Sequence, residues 1–231
     1  MANFRYYKNK GKRYPRRTSI DGQLDKPGLV YWSANCACDY ILESLKLPQT
    51  LPIESTLPVI IESARKEWRK ISKEARDIGS EVHAAIAVWL KTGKEPKDPS
   101  PEVLSGFVAF LEWIETWKSV KTLETEKTVY ADRWAGTYDW LVRLDGEVWL
   151  IDFKSSKEPK NKKPYEEWRT QLAGYRSQEP RAEHHAVLRL DKLTGFPDFY
   201  DLSEHYEQDL KVSNCLVDLW YLRHASFKQE I

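Results

Sequence analysis

Gly136-Thr-Tyr-Asp-Trp-Leu-Val-Arg-Leu-Asp-Gly-Glu-Val-Trp-Leu-Ile-Asp-Phe-Lys154 reads as two strands joined by a tight turn. Asp145-Gly146 is the turn, because both residues tolerate positive φ and a two-residue type I′ loop requires it. Counting outward sets the register. Leu144 faces Glu147, Arg143 faces Val148, Leu141 faces Leu150, and Asp139 faces Asp152. Opposed residues project on one face of a sheet, and Lys154, two residues beyond Asp152, shares that face. The hairpin is therefore expected to bring two carboxylates and an amine together. Opposed aspartates repel unless something compensates. A divalent cation such as Mg²⁺ or Mn²⁺ would do so through Asp oxygens. A solvated face with Lys154 neutralising one acid is the alternative.

The flanking segments set the fold class. Upstream, Ile71, Ala75, Ile78, Val82, Ile86 and Trp89 recur at three and four, which predicts a long helix from about Pro58 to Lys91 with Thr56 as its cap. His83 lies beside that stripe, and a lone His on a helix edge is as a rule a packed residue. Gly79 suits a place where another backbone comes close or where the helix bends. Ser100-Pro101-Glu102 opens a further helix that is expected to run to about Lys121. An earlier helix is expected from about Leu29 to Leu45. The period then changes to two over Leu123–Ala131, giving a strand that carries Glu126, and the hairpin follows. Beyond it lie a Lys-rich loop, a helix from Pro164 to Ser177, strands at Glu183–Leu190 and Phe199–Asp201, and a last helix over Leu202–Ala225. Three consecutive strands among helices predict an antiparallel sheet in an α+β protein. One domain is expected over 1–231, with an N-terminal arm and helical extension at 1–57, a core at 58–202 and a C-terminal helix at 203–231.

Composition excludes several classes. With 41% hydrophobic residues, 13% aromatics and 10 Trp, the chain can fill a core and is not disordered. The net charge of +1 excludes a global polyelectrolyte binder. Charge is local instead: residues 1–17 hold seven Lys or Arg and no acid, and residues 154–163 hold five Lys against one Glu. Such patches guide polyanions, although residues 1–12 also read as an unstructured basic arm. Three cysteines, Cys36, Cys38 and Cys215, suggest no disulfide framework and fall short of a four-cysteine metal site. No run of about 18 apolar residues is present, so no membrane span is expected. The N-terminus lacks an apolar signal core, which points to a cytoplasmic, intracellular location.

Singly these signals are weak, but their order is specific. An Asp (Asp139), an Asp-x-Lys thirteen residues later (Asp152, Lys154) and a helix carrying Gln-x-x-x-Tyr (Gln171, Tyr175) resemble the PD-(D/E)XK nuclease superfamily. Within it they resemble the RecB-like exonucleases. His83, in Gly79-Ser-Glu-Val-His, matches that family's upstream helical histidine. Tyr14-Pro-Arg-Arg-Thr-Ser-Ile, with Trp32 following, looks like the N-terminal region of phage members. The resemblance implies a restriction-endonuclease-like core, an α+β sandwich whose mixed central sheet contains an antiparallel hairpin and is flanked by helices. It implies that Asp139, Asp152, the Phe153 carbonyl and His83 hold Mg²⁺ or Mn²⁺. Lys154 would orient or deprotonate the attacking water, or stabilise charge in the transition state. Gln171 and Tyr175 would position the scissile strand, with Glu126 and Lys157 as accessory groups. The Lys157, Lys160, Lys162 and Lys163 loop and the basic arm would meet phosphates, and Trp or Tyr near the site would stack on unpaired bases. Relatives with an iron–sulfur cluster carry four cysteines, and this chain lacks the C-terminal three. The implied function is metal-dependent DNA exonuclease activity in phage or bacterial recombination or repair, with DNA ends as substrate and a recombination or annealing protein as a candidate partner. A structure-specific endonuclease and a non-catalytic nucleic-acid-binding module are the alternatives.

Overall fold

Asp145 and Gly146 both have positive φ, 47° and 105°, and Leu144 pairs with Glu147, so the expected two-residue turn forms. It joins β4 (Ala135–Leu144) to β5 (Glu147–Ser156) in a computed structural model that describes residues 6–47, 52–156 and 163–230. The sheet order is β3-β4-β5-β6-β7, with β3 Val120–Tyr130, β6 His184–Asp191 and β7 Pro197–Asp201. Neighbours are antiparallel except β5 and β6, which run parallel and are linked through helix α5 (Glu166–Ser177). A parallel neighbour requires such a crossover, whereas the antiparallel ones need only short connections. The chain is therefore an α+β protein with a mixed five-stranded sheet and a separate two-stranded hairpin.

The structure divides into two compact units, 25–78 and the remainder, with the second division falling inside helix α3 (Ile53–Thr92), between Ile78 and Gly79. These limits differ from the expected internal boundaries at 57 and 202. The 25–78 unit contains helix α2 (Pro27–Lys46), opened by Pro27 at its first position, and the first part of α3. Helix α3 begins five residues before Pro58. Proline this near a helix start forfeits one backbone bond, to the carbonyl of Glu54, and does not end the helix.

In the larger unit, helix α4 (Pro101–Ile114) packs on α3 where Gly106 meets Val82, and a Cβ at Gly106 would lie 2.9 Å from Val82 Cγ2. Ser100 Oγ accepts from the Val103 N–H, the expected cap. The helix stops at Ile114 and not near Lys121, because the following backbone is captured by the hairpin tip. Ser119 N–H donates to Asp145 Oδ1 at 2.7 Å, and Asp145 N–H donates to Ser119 O at 3.0 Å. Strand β3 therefore starts at Val120, three residues earlier than its periodicity suggests.

Alternation along β4 changes phase at Asp139. Tyr138 and Leu141 both join the apolar cluster that contains Leu172 and Tyr175 of α5 and Leu216, Val217 and Trp220 of helix α6 (Tyr206–Arg223). Trp140 instead meets Phe110 and Trp113 of α4. Strict period two would put Tyr138 with Trp140. On the neighbouring strand the register runs from Thr125–Trp140 to Lys127–Tyr138, so Glu126 stands opposite Asp139, and Glu126 has φ 53°. A non-glycine residue in the left-handed region is uncommon, and here it sits within β3 beyond the register shift at Thr122–Glu124.

Residues from Tyr6 onward form regular structure in the N-terminal segment. β1 (Tyr6–Asn9) and β2 (Lys12–Pro15) form a hairpin over Lys10-Gly11, both with positive φ (46° and 73°), and a short helix α1 (Arg17–Asp21) follows. The arm expectation therefore fails for residues 6–12. Tyr7 and Tyr14 pack edge-on against Tyr130, at 6.3 and 5.4 Å. Arg13 N–H donates to Gln229 O at 2.7 Å, and its guanidinium donates to Lys228 O. The last helix begins at Tyr206, after a 3-10 turn over Ser203–His205.

Candidate active site

The β4–β5 ladder ends at Trp140–Ile151, one pair short of the expected Asp139–Asp152 pairing. The reason lies in the Asp139 side chain. Its Oδ2 accepts the backbone N–H of Phe153 at 2.6 Å, and Oδ1 lies 3.4 Å from His83 Nδ1 on α3. Asp152 instead pairs with Lys154 on its own strand. The two aspartates are therefore engaged by different partners and are not opposed across a ladder.

Lys154 Nζ also donates to Gln171 Oε1 at 3.1 Å, and Gln171 Nε2 donates to Tyr175 Oη at 3.2 Å. The four-residue spacing on α5 puts Gln171 and Tyr175 on one helical face. Both are buried, and so are Asp139 and Asp152. The Tyr175 ring reaches the sheet because residue 136 is glycine: a Cβ there would lie 2.6 Å from Tyr175 Cε1. Gly79, by contrast, is not sterically required, since a Cβ would meet Ser155 at an ordinary 3.8 Å.

These groups line one cavity of about 250 Å³, which His83, Asp139, Asp152, Lys154, Gln171 and Tyr175 share with Tyr7, Arg16, Arg17, Thr18 and Thr137. Arg16, Arg17 and Thr18 belong to the Tyr14–Ile20 stretch already singled out, whereas Tyr7 and Thr137 carried no assignment in the sequence. What brings the Arg16-Arg17 pair to the cavity is the N-terminal hairpin. Among the described residues no Trp lines this cavity, so the aromatic walls are tyrosines. Lys157, Lys160 and Lys162 lie outside the described residues, and Lys163 is exposed.

Electrostatics follow from burial and charge. Burial alone would raise the Asp139 carboxyl, but His83, Lys154 and the Phe153 amide hold it below the ordinary range. Burial pushes Asp152 up to about 6, against the pull of Lys154 and with the Asp139 charge adding to the rise. Burial disfavours the charged forms of His83 and Lys154, yet the aspartates raise both. Partial desolvation beside the acid cluster and then the Asp139 charge raise Glu126, although the residue itself is exposed. Each group is thus shifted chiefly by desolvation and by its immediate neighbours, a pattern that concentrates at functional sites.

A metal ion is tested by the donor set. One ligand atom each from His83, Glu126 and Asp139 lies within 4.8 Å of the others. An imidazole with two carboxylates suits a divalent ion such as Mn²⁺ or Mg²⁺, so the residues fit. Asp152 stands outside this trio, its carboxylate engaged by Lys154. The backbone group of Phe153 engaged at the site is its N–H, which serves Asp139. Glu126, placed in the sequence between accessory ligand and solvent, is exposed and still belongs to the trio.

No family model matches the chain, and no curated protein matches it. A solved structure described as "Crystal structure of SSO0001" is similar at 16% identity with a TM-score of 0.32, over 52% of this chain. The chain spans 60% of that structure's length, and a likeness of this degree carries no functional argument. Among the described residues no helix is long and apolar enough to cross a membrane.

Proposed function

We propose that the chain is a metal-dependent deoxyribonuclease of the PD-(D/E)XK type, acting as an exonuclease on DNA phosphodiesters. The observation that carries this reading is the convergence of Asp139, Asp152, Lys154, His83, Gln171 and Tyr175 on one cavity from separate elements. His83, Glu126 and Asp139 would hold Mg²⁺ or Mn²⁺, with Asp152 completing the acid set. A divalent cation supplies Lewis-acid polarisation and charge neutralisation when bound. The remaining work belongs to the chain. Lys154 presents an ammonium between Asp152 and Gln171, which suits it to orient a water or to stabilise charge developing on the phosphoryl oxygens. Gln171, locked by Lys154 and Tyr175, holds that ammonium in place and borders the path of the strand. The Asp139 carboxylate is fixed by the Phe153 amide, so it does not have to reorganise during the reaction.

The test is degradation of end-labelled linear DNA by purified protein with Mn²⁺, stopped by EDTA, beside covalently closed circular DNA as the endonuclease control. Asp152→Ala and Lys154→Ala should each abolish cleavage. Full activity in either variant overturns the assignment. Tight DNA binding without turnover under any metal supports the non-catalytic alternative.

A further inference from the structure

The cavity has a second wall, built by residues that precede the core. Tyr7 of β1 hydrogen-bonds Thr137 of β4 at 3.2 Å, and Arg16 bridges Ala135 at the start of the same strand. Each of the two neighbouring arginines there keeps one buried nitrogen without a partner, Arg16 Nε and Arg17 Nη1, but they differ in counter-charge. Arg17 is fully buried, paired through two nitrogens with Asp21, and set over Trp134 at 5.3 Å. Asp21 in turn accepts from Thr170 Oγ1 of α5 at 2.9 Å. Arg17 is thus an anchor with its charge already balanced. Arg16 is only half-buried, and its guanidinium lies over the Tyr7 ring at 5.6 Å. Its Nε is buried and has no hydrogen-bond partner among the described residues.

Counting the cations that line the cavity isolates Arg16. Lys154 faces Asp152, His83 faces Asp139 and Arg17 faces Asp21. Arg16 has no carboxylate partner among the described residues. A buried N–H without an acceptor costs about 1–3 kcal/mol, which a bound acceptor offsets. The planar guanidinium fork matches phosphate geometry. Position completes the argument. Ala135 is four residues from Asp139, about 13 Å along an extended strand. The arginine side chain spans part of that distance, so its charge stands beside the acid cluster and not within it.

We propose that Arg16, seated on Tyr7, is a subsite for a phosphodiester flanking the one to be cleaved, so that the N-terminal hairpin sets the position of the strand. This rests on the nuclease reading above. Arg16 is accordingly a positioning residue, and its loss weakens strand binding more than it slows the reaction.

The experiment has two arms. In the first, a single-stranded oligonucleotide is titrated against Asp152→Asn protein with and without Arg16→Ala, in Ca²⁺, across a salt series. The expected result is about tenfold weaker binding without Arg16, with a salt slope shallower by about 0.7. Arg16→Lys should keep the slope and lose part of the affinity. In the second arm, Arg16→Ala in the otherwise unaltered protein should raise KM about tenfold with kcat within about threefold. One neutral methylphosphonate beside the scissile linkage should penalise the parent and leave Arg16→Ala no worse. Unchanged affinity and slope in Arg16→Ala, or a fall in kcat alone, overturns the subsite. If Arg16 governs binding but no strand is cut under any metal, the hydrolytic reading fails and with it the flanking position, and Arg16 stands only as a phosphate contact of a strand-binding protein. If DNA is cut and Arg16 is indifferent, the hydrolytic reading stands and the subsite fails.

Discussion

Asp139 Oδ2 accepts the Phe153 N–H at 2.6 Å, just past the point where the β4–β5 ladder stops. The carboxylate thus replaces a strand carbonyl as acceptor for a buried amide while its other oxygen faces His83. Asp139→Ala should leave that amide unsatisfied and lower stability by about 1–3 kcal/mol. Asp139→Asn retains an acceptor and should be close to neutral in urea denaturation. Both variants should lose cleavage by at least about 100-fold. Equal stabilities for the two variants would refute the acceptor role of the side chain.

The donor trio makes a prediction about metal. Titration calorimetry with Mn²⁺ should show one binding event that His83→Ala weakens at least about tenfold, an order-of-magnitude expectation for a lost ligand. Glu126→Gln should have a smaller effect, since that carboxylate is exposed. At about 100 times its dissociation constant the ion should add about 2.7 kcal/mol to stability. An unaltered isotherm in His83→Ala would remove the histidine from the site.

Gly136→Ala should be costly although the change is a single methyl. The new Cβ would lie 2.6 Å from Tyr175 Cε1, 2.7 Å from its hydroxyl and 3.0 Å from Arg17 Cβ. All three belong to buried side chains in a packed core. Overpacking of this kind costs about 1–3 kcal/mol, and displacement of Tyr175 should also reduce cleavage by releasing Gln171. Adding Tyr175→Phe, which keeps the ring, should not relieve the stability loss, whereas Tyr175→Leu should relieve part of it. Thermal denaturation of the double variants distinguishes these outcomes.

His185 on β6 is fully buried, and its pKa is pushed down to about 3, chiefly by burial and then by the Arg176 charge. The folded chain keeps this imidazole neutral while the unfolded chain protonates it near about 6.5. Between those values the unfolded state binds the extra proton, so stability falls as pH falls from about 6.5 toward 3, by up to about 1.4 kcal/mol per unit. Above about 6.5 the group contributes no slope. In His185→Gln the pH dependence of urea midpoints between about 6.5 and about 4 should be shallower. An identical slope would mean that the imidazole is protonated in the fold.

Much of the sheet was legible because its determinants are local. Asp145-Gly146 and the apolar alternation around it set the register from Leu144–Glu147 to Trp140–Ile151. Counting failed at the next pair. Glu126 at φ 53° on the adjoining strand has no sequence signature, since nothing about Glu announces a left-handed backbone. The N-terminal hairpin was missed for a related reason. Lys10-Gly11 is a turn signal, but the strands beside it are basic and lack an apolar alternation, and they are held by Tyr130 and by residues 228 and 229. Likewise the end of α4 depends on Ser119 meeting Asp145, two residues far apart in the chain.

A resemblance to a nuclease superfamily singled out the acid, lysine, histidine and Gln-Tyr groups, whereas the sequence by itself determined the α+β class, the hairpin turn and the order of the helices. These follow from periodicity, turn chemistry and spacing, which act over a few residues. Tertiary structure decided the rest. It separated the two aspartates between His83 and Lys154, drew Glu126 toward His83 and Asp139, and set Arg16 on Tyr7 at the cavity wall. Most of these contacts join residues from distant elements. Their distances are set by how the helices and strands pack, and by which partner each buried polar group must find.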